Sequence, residues 1–502
     1  MIEIMDTTLR DGEQTSGVSF SASEKLSIVQ LLLEELKVDR VEIASARVSN
    51  GEYESVSRIA EWAKKNGYLR RLEVLGFVDG ESSLNWIKNT GCIVMNLLCK
   101  GSLKHCEEQL GKTKEAHIAD ILQSLELAEK MDIEVNIYLE DWSNGMIWSP
   151  DYVFYMVDRL KDKNVKRFLL PDTLGILNPV NTEKYCKQMI ERYPELHFDF
   201  HAHNDYDLAV SNVFAAASAG IKGFHTTVNG LGERTGNAPL TSVVAMLHDQ
   251  LKLKTNVVEK HLYMASRIVS SYSGVRIPNN KPLTGDNVFT QCAGIHADGD
   301  KKNNLYCNDL LPERFGRTRE YALGKMSGKA NILKNLESLG IEMDEESMSR
   351  VTDRIIELGD KKEVVTPDDL PYIIADVLHH ENTDKIKIVN FSLALTHGLR
   401  PSATVRIDIE GKEYEWTAAG DGQFHAFSKA LWKIYNKLGK PIPSLTDYNV
   451  SIPLGGRTDA LVETVISWKF NGKIFKTRGL DIDQTQAAIN ATVKMLNMIE
   501  NM

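Results

Sequence analysis

Two histidines separated by one residue, His201 and His203 in the stretch HAHND, are the sharpest chemical signal in the sequence. Side chains at positions i and i+2 of a strand point to one face, so both imidazoles would lie together. Two imidazoles and a carboxylate form a facial ligand set for a divalent transition metal and leave positions open for a substrate. A histidine pair alone is more often structural; its position at the end of a strand favours a metal.

A second charged stretch, DTTLRDGEQ, follows the apolar start of the chain and supplies Arg10 and Asp11. Asp11 is the expected third ligand if the chain forms a closed eight-stranded barrel, as the pattern described next predicts. Asp11 then follows strand one and the histidines end strand seven, and strands one, seven and eight are near neighbours in such a barrel. Arg10 can stabilise negative charge that develops on an oxygen, although a single arginine is more often a solvated surface residue. The glycine-rich stretch GLGERTGNAPL adds Asn237, which can offer a carbonyl oxygen to the same metal.

Eight apolar runs alternate with helical patterns from the start of the chain to about residue 230, which is typical of βα units and a parallel sheet. The runs are IEIMDTT, VDRVEIAS, RLEVLGF, IVMNLLC, EVNIYLED, RFLLPDT, HFDFHAHN and GFHTTVNG. They predict an α/β fold, a (β/α)8 TIM barrel, over residues 1–275. Polar residues lie at or just beyond the ends of most of these runs, as expected at the catalytic face of a barrel, although each one alone could cap a helix.

The pattern changes after the barrel. Residues 276–382 combine loops and short helical patterns and predict a mainly helical linker that completes the active site. Residues 383–502 contain three strand runs and a helix, followed by the same order again. This repeat predicts a C-terminal α+β domain built from a duplicated βββα unit.

Length and composition narrow the class of protein. With 502 residues the chain is too long for one compact core, which predicts two or three domains. The net charge of −10 argues against nucleic-acid binding, and no apolar run approaches the roughly 20 residues that span a membrane. The start of the chain has no secretory pattern, so we expect a cytoplasmic protein. Six cysteines without a C-x-x-C pair are expected to be reduced.

The motifs LRDGEQ, HAHND and GLGERTGNAPL together resemble the isopropylmalate, homocitrate and citramalate synthases. The resemblance continues through AGIHADGDKK, ERFGR, LGKMSGK and GGRTDALVET, and within the family it is greatest to the citramalate synthases. It implies a homodimeric acyltransferase that condenses acetyl-CoA with a 2-keto acid. It also implies a divalent cation, Mn, Mg, Zn or Co, and a role in branched-chain amino acid biosynthesis.

The resemblance gives each site residue of the barrel a role. Asp11, His201 and His203 match the family's metal ligands, with Asn237 close by. Arg10 matches the arginine that stabilises the alkoxide. Thr173 matches the hydroxyl that binds the substrate carboxylate, and Glu140 matches the acid on strand five.

The stretch AGIHADGDKKNNLY contributes further residues, which in the family act on the barrel of the partner subunit. They are the catalytic candidates His296 and Tyr306 and the acetyl-CoA contacts Asp298, Asn304, Leu305 and Tyr306. Without the resemblance, His296 and Tyr306 would be interpreted as residues that pack a loop. The catalytic base stays open among His296, Tyr306 and Glu140.

The size of the substrate pocket distinguishes the possible keto acids. Relatives that take larger substrates carry a serine where this chain has Tyr138. They also carry a histidine in strand four, near the position of Leu98 in this chain. Together with Leu75, these side chains would leave room for the methyl group of pyruvate and predict (R)-citramalate as product, on the route to isoleucine. The alternative is 2-oxoisovalerate, the substrate of a 2-isopropylmalate synthase in leucine biosynthesis.

The C-terminal domain resembles the family's regulatory domain, which binds a branched-chain amino acid near the dimer interface. The residues expected to line that effector site are Leu445, Tyr448, Ile452, Thr458 and Val462. The same spacings would arise in a plain sandwich core. His425 stands where an acid is expected to hold the ammonium group, which leaves the effector open.

Three other functions are less consistent with the sequence. Metal-dependent hydrolases with this barrel usually carry the H-x-H pair on the first strand. Acyl-CoA lyases usually end after the barrel and place a cysteine in a late glycine-rich loop, which is absent from GLGERTGN. An amino-acid sensor on an inactive barrel would not be expected to keep Arg10, Asp11, His201 and His203.

Overall fold

The computed structural model describes residues 1–293, 305–360, 385–451 and 462–501, together with positions 299, 365, 370, 373, 374 and 377. The chain divides into two compact units, Met1–Thr290 with Tyr306–Glu320, and Gln291–Leu305 with Tyr321–Met502. The domain boundaries expected near residues 275 and 382 stay predictions.

The first unit is a closed barrel of eight parallel strands in chain order, with the eighth strand paired to the first. The strands are β1 Glu3–Asp6, β2 Arg40–Ser45, β3 Leu72–Phe77, β4 Val94–Lys100, β5 Glu134–Glu140, β6 Val165–Asp172, β7 Phe198–Ala202 and β8 Gly223–Thr226. The predicted TIM barrel is therefore confirmed.

Ten α-helices accompany these strands in the described part of the first unit. They are α1 Ala22–Gln30, α2 Asn50–Asn66, α3 Ser82–Thr90, α4 Lys114–Lys130, α5 Trp142–Trp148, α6 Pro150–Leu160, α7 Pro179–Arg192, α8 Ala209–Ala219, α9 Leu240–Asp249 and α10 Leu262–Ser273. The start of α1 shows how local sequence defines an element. The Ser21 hydroxyl accepts from the Glu24 N–H and the Glu24 carboxylate accepts from the Ser21 N–H, a capping box.

The interior of the barrel is partly ionic. Arg40 Nη1 donates to Glu73 Oε1 at 2.7 Å, and Arg40 Nη2 donates to Asp199. His225 Nε2 lies 3.2 Å from Asp199 Oδ2, and all four side chains are buried. Charges in such a place are tolerated because each has a close partner of opposite sign or a hydrogen bond. This layer lies on the strands that carry the functional residues described below.

The second unit contains two copies of one antiparallel motif, each followed by a helix. The first copy is β11 Ile386–Ala394, β12 Ser402–Ile409, β13 Lys412–Ala419 and α13 Gln423–Lys437; the second is β14 Ser444–Ser451, β15 Val462–Phe470, β16 Lys473–Asp481 and α14 Gln484–Asn501. One apolar cluster includes Phe427 of the first copy and Trp468 of the second, so the two copies share a core. The predicted duplication is confirmed.

The segment between barrel and duplicated domain is mainly helical where it is described, as predicted. It contains α11 Lys329–Leu339 and α12 Glu345–Asp360, and the short strands β9 Thr290–Gln291 and β10 Glu320–Tyr321 precede them. Ile332 and Leu336 of α11 and Val351 and Ile355 of α12 belong to one buried cluster. In the described residues, every helix is too short or too polar to cross a bilayer.

Candidate active site

Three predicted metal ligands meet at the C-terminal face of the barrel. His201 Nε2 lies 3.1 Å from Asp11 Oδ2, and His203 Nε2 lies 3.7 Å from the same oxygen. One ligand atom from each residue lies within 4.8 Å of the other two, and all three side chains are buried. His201 lies in β7 and His203 directly after it in a bridge to Asn237, and both imidazoles lie toward Asp11 in the loop after β1. The structure thus brings these residues together, and their binding of a metal stays a prediction.

The charge state of this set suits a divalent cation. Burial alone would raise the pKa of Asp11, but Arg10 and the two histidines hold it well below its usual range. Burial lowers the pKa of His201 against the opposing effect of Asp11. Burial, together with the neighbouring His201 ring, lowers the pKa of His203 to about 4. At neutral pH the set is therefore one carboxylate and two neutral imidazoles, the forms that ligate metals.

The glycine-rich loop places Asn237 beside Asp11, His201 and His203. Its Nδ2 donates to Asp11 Oδ2 and to the Leu231 carbonyl, both at 3.0 Å. Its Oδ1, like Nδ1 of both histidines, is buried without a hydrogen-bond partner in the described part of the chain. A Cβ at Gly232 would lie 2.3 Å from Asn237 Nδ2, so the loop needs glycine there. The orphaned Oδ1 belongs to a group that could turn toward a cation.

Arg10 is held by a chain of polar side chains that sequence reasoning missed. Its Nε donates to Glu42 Oε2 at 2.7 Å, and its Nη1 lies 3.5 Å from Asp11 Oδ1. Glu42 also accepts from Thr7 Oγ1 at 2.7 Å and from Asn96 Nδ2 at 2.8 Å. Burial alone would raise the pKa of Glu42, but Arg10 and these hydrogen bonds lower it. The position of Thr7 directly after β1 was a sequence signal, whereas Glu42 lies inside β2 and Asn96 inside β4.

The predicted apolar wall forms one cluster next to these polar groups. Leu75 and Tyr138 are buried together with Leu169, and the partly buried Leu98 packs against them. Leu98, Tyr138 and Leu169 are register partners on β4, β5 and β6. Tyr138 also reaches the polar groups, because its hydroxyl lies 3.4 Å from Arg10 Nη2 and its ring centroid 6.0 Å from that of His201. Leu169 was not predicted.

Two further predicted residues lie at strand ends of the same face. The Glu140 carboxylate, at the end of β5, forms an ion pair with Lys100 at the end of β4. Thr173, directly after β6, accepts a hydrogen bond at Oγ1 from the Asp141 N–H at 2.9 Å. Neither Lys100 nor Asp141 was predicted as a site residue, although both follow the pattern of polar strand ends.

The residues predicted to act on acetyl-CoA are mostly outside the described part of the chain. This holds for His296, Asp298 and Asn304. Leu305 and Tyr306 are described and exposed, with 67% and 48% of their surface accessible.

Of the residues predicted to line the effector site of the second unit, Ile452 and Thr458 are also outside the described residues. Leu445 and Tyr448 lie on β14, and Val462 begins β15.

Three family models match successive parts of the chain. The family model described as "HMGL-like" matches residues 1–269. The model described as "Homocitrate synthase post-HMGL domain-like" matches residues 283–363, and the model described as "LeuA allosteric (dimerisation) domain" matches residues 364–500. Together these models account for the barrel, the helical segment and the duplicated domain.

Relatives with assigned names match over nearly their whole length. The putative (R)-citramalate synthase CimA of Archaeoglobus fulgidus is 31% identical over 500 residues, 99% of each chain. The (R)-citramalate synthase CimA of Methanocaldococcus jannaschii is 32% identical over 506 residues, 100% of each. The probable 2-isopropylmalate synthase of Methanopyrus kandleri is 32% identical over 504 residues, 99% of this chain and 98% of its own.

Proposed function

Because the chain belongs to the HMGL-like family and, within it, to the citramalate and 2-isopropylmalate synthases, we propose that it condenses acetyl-CoA with pyruvate. The products would be (R)-citramalate and CoA, on the route to isoleucine. The observation that carries this choice is the apolar cluster of Leu75, Leu98 and Tyr138 beside the Asp11 and histidine set. We expect this cluster to leave room for a methyl group, whereas an isopropyl group would meet Leu98 and Tyr138. The alternative remains 2-oxoisovalerate.

The polar residues would divide the chemistry among them. Asp11, His201 and His203 would hold the divalent cation, with Asn237 beside it, and a bound cation supplies Lewis-acid polarisation of the keto acid. Arg10 would stabilise the negative charge that develops on the ketone oxygen.

The substrate carboxylate and the transferred proton need groups of their own. The Thr173 hydroxyl would donate to the carboxylate of the keto acid. A base, Glu140, His296 or Tyr306, would take a proton from the acetyl methyl group, whose carbon then bonds to the ketone carbon. The resulting alkoxide would take up a proton, and water would cleave the thioester to release CoA.

Acetyl-CoA would reach the barrel from outside it. We place Asp298, Asn304, Leu305 and Tyr306 at its binding site, contributed by the partner subunit of a homodimer. Support for a dimer is the match of residues 364–500 to an allosteric, dimerisation domain. A cytoplasmic location accords with this biosynthetic role.

A comparison of keto acids tests the proposed function. With Mn²⁺ and acetyl-CoA present, thiol release should be measured with pyruvate, 2-oxoisovalerate and 2-oxoglutarate. We expect kcat/KM for pyruvate to exceed that for 2-oxoisovalerate by about a hundredfold, the upper part of the range for side-chain selection in an apolar pocket. A preference for 2-oxoisovalerate would support the alternative. Absence of thiol release with all three would contradict the condensation itself.

Leu98→Ala separates the pocket from other sources of selectivity. The shorter side chain enlarges the pocket without removing a contact to Arg10, so the ratio of kcat/KM for 2-oxoisovalerate to that for pyruvate should rise about tenfold. Leu110→Ala, at an exposed position after β4, is the matched control and should leave the ratio unchanged. An unchanged ratio in Leu98→Ala would exclude Leu98 from the pocket wall.

We also propose that the second unit binds a branched-chain amino acid, with isoleucine as the first candidate. Support comes from a largely apolar cavity of about 270 Å³, lined by Phe424, His425, Ser428, Trp432, Pro443, Leu445 and Trp468. Tyr448 packs nearby, with its ring centroid 5.4 Å from that of Phe424. An acid is present although not at the expected position, because Asp421 Oδ2 lies 3.3 Å from His425 Nδ1.

Isoleucine should therefore raise the melting temperature of the wild-type protein, because a ligand of the folded state stabilises it. As a feedback effector, it should also reduce the activity. Leu445→Glu introduces a charge into the cavity and should lose both responses. Leu399→Glu changes an exposed leucine of the same unit and should keep them. Equal responses of the two variants would show that the effector binds elsewhere, and no response of the wild type to isoleucine, leucine or valine would contradict an effector of this class.

A further inference from the structure

Asp141, directly after β5, is a buried residue in an unusual backbone conformation. Its φ of 65° and ψ of 28° are left-handed, and only 1% of its surface is accessible. Residues with a Cβ avoid this region, and aspartate and asparagine tolerate it best. A conformation of this kind persists only where its surroundings hold it.

The side chain of Asp141 is held from two sides. Ser102 Oγ, after β4, donates to Asp141 Oδ2 at 2.7 Å, and Asn144 Nδ2, in the first turn of α5, donates to Oδ1 at 2.8 Å. His105 Nε2 lies 3.4 Å from Oδ2. The Gly145 N–H donates to the Asp141 carbonyl at 3.0 Å. Both carboxylate oxygens and the carbonyl are therefore engaged.

The left-handed conformation directs the Asp141 N–H toward Thr173. That N–H donates to Thr173 Oγ1 at 2.9 Å. In the described part of the chain this is the only hydrogen bond of that hydroxyl, so its own proton has no acceptor. A hydroxyl whose oxygen already accepts from a fixed backbone donor can offer its proton to a third group. The Thr173 carbonyl is held as well, because it accepts from Arg234 Nη2 at 2.8 Å.

We infer that Asp141 is a positioning residue, which makes the Thr173 hydroxyl a donor aimed at the carboxylate of the keto acid. This inference rests on the proposed function, in which Thr173 binds that carboxylate. Asp141 does not touch the substrate; it acts through its backbone N–H, and its side chain keeps the N–H in place. The consequence is an effect on the KM for the keto acid that the KM for acetyl-CoA does not share.

The test compares Asp141→Ala, Asp141→Asn and Thr173→Val. Asp141→Ala should raise the KM for pyruvate about tenfold, the weakening expected when one hydrogen bond to a charged group is lost. The KM for acetyl-CoA should stay within about twofold, because binding of that substrate does not involve this hydroxyl. Asp141→Asn tolerates the left-handed backbone and can keep Ser102 and Asn144 as partners, so it should restore most of the affinity for pyruvate. Asp151→Ala, at an exposed aspartate of α6, is the matched control.

A double-mutant cycle identifies the path of the effect. If Asp141 acts through Thr173, Asp141→Ala should add little to the KM of Thr173→Val, whereas independent effects would multiply. Multiplied effects, or an unchanged KM for pyruvate in Asp141→Ala, would overturn the inference. So would a fall in melting temperature without a change in KM, which would indicate a structural role alone. A wild-type protein that turns over none of the keto acids would instead contradict the proposed function, and the inference with it.

Discussion

His201→Ala is expected to lose both the bound metal and the turnover. The residue is buried, and its Nε2 faces the same Asp11 oxygen as that of His203, so the variant removes one of the three clustered ligand groups. Loss of several kcal/mol of carbonyl polarisation corresponds to a decrease of kcat of about a thousandfold or more. Metal content by plasma mass spectrometry and kcat by thiol release measure the two effects on one preparation.

The matched control is His197→Asn, immediately before the same strand but at its other end. His197 Nε2 lies 3.0 Å from Asp199 Oδ1, and the ring is partly exposed. This variant should keep its metal and most of its activity. Circular dichroism should show that His201→Ala is folded. A folded His201→Ala protein that kept a full complement of metal, or full activity, would contradict the metal assignment.

The barrel and the position of its catalytic face could be predicted from the sequence for a simple reason. Buried parallel strands are short apolar runs, and their polar last residues lie together because all strands point the same way. Residues far apart in the sequence, such as Asp11 and His201, could thus be placed at one site before their distance was known. The duplicated domain was visible for the same reason, since strand and helix periods differ and the order of elements repeats.

The hydrogen-bonded partners inside the barrel could not be predicted in this way. Asn96 lies within an apolar run, and its contact with Glu42 crosses the barrel interior, because β3 lies between their strands β4 and β2. Which side chains meet there depends on how the strands are staggered around the closed barrel. A period of two shows which face a side chain occupies but not its neighbour on the next strand. The ion pair between Lys100 and Glu140 joins register partners of β4 and β5. The ion pair of Arg40 on β2 with Asp199 on β7 instead crosses the interior.

Asp141 illustrates a second limit. An aspartate between a strand and a helix is an ordinary helix cap in sequence terms, with its side chain on the first backbone N–H groups. In the structure its carboxylate makes no such cap and instead binds side chains from two elements. A left-handed backbone at a residue other than glycine results from those tertiary contacts, and a local sequence pattern does not contain them.

Arg10→Gln is expected to lower kcat by about a hundredfold to a thousandfold, the loss seen when one donor to a developing oxyanion is removed. The bound metal should stay near the wild-type amount, because Arg10 is not among its ligands. Arg10→Lys should restore only part of kcat, since lysine is a point charge without the planar fork that contacts Glu42 and Asp11 together. Arg47→Gln, at an exposed arginine paired with Asp79, is the matched control.

The environment of Arg10 explains why its loss should affect rate more than binding. Glu42, fixed by Thr7 and Asn96, holds the guanidinium before any substrate arrives, so the charge meets the oxyanion without reorganisation. Glu42→Gln should therefore reduce kcat less than Arg10→Gln does, because it removes the support and leaves the positive charge. If Arg10→Gln lost the metal as well, the residue would support Asp11 rather than the oxyanion. A kcat within about threefold of wild type would remove Arg10 from the chemistry altogether.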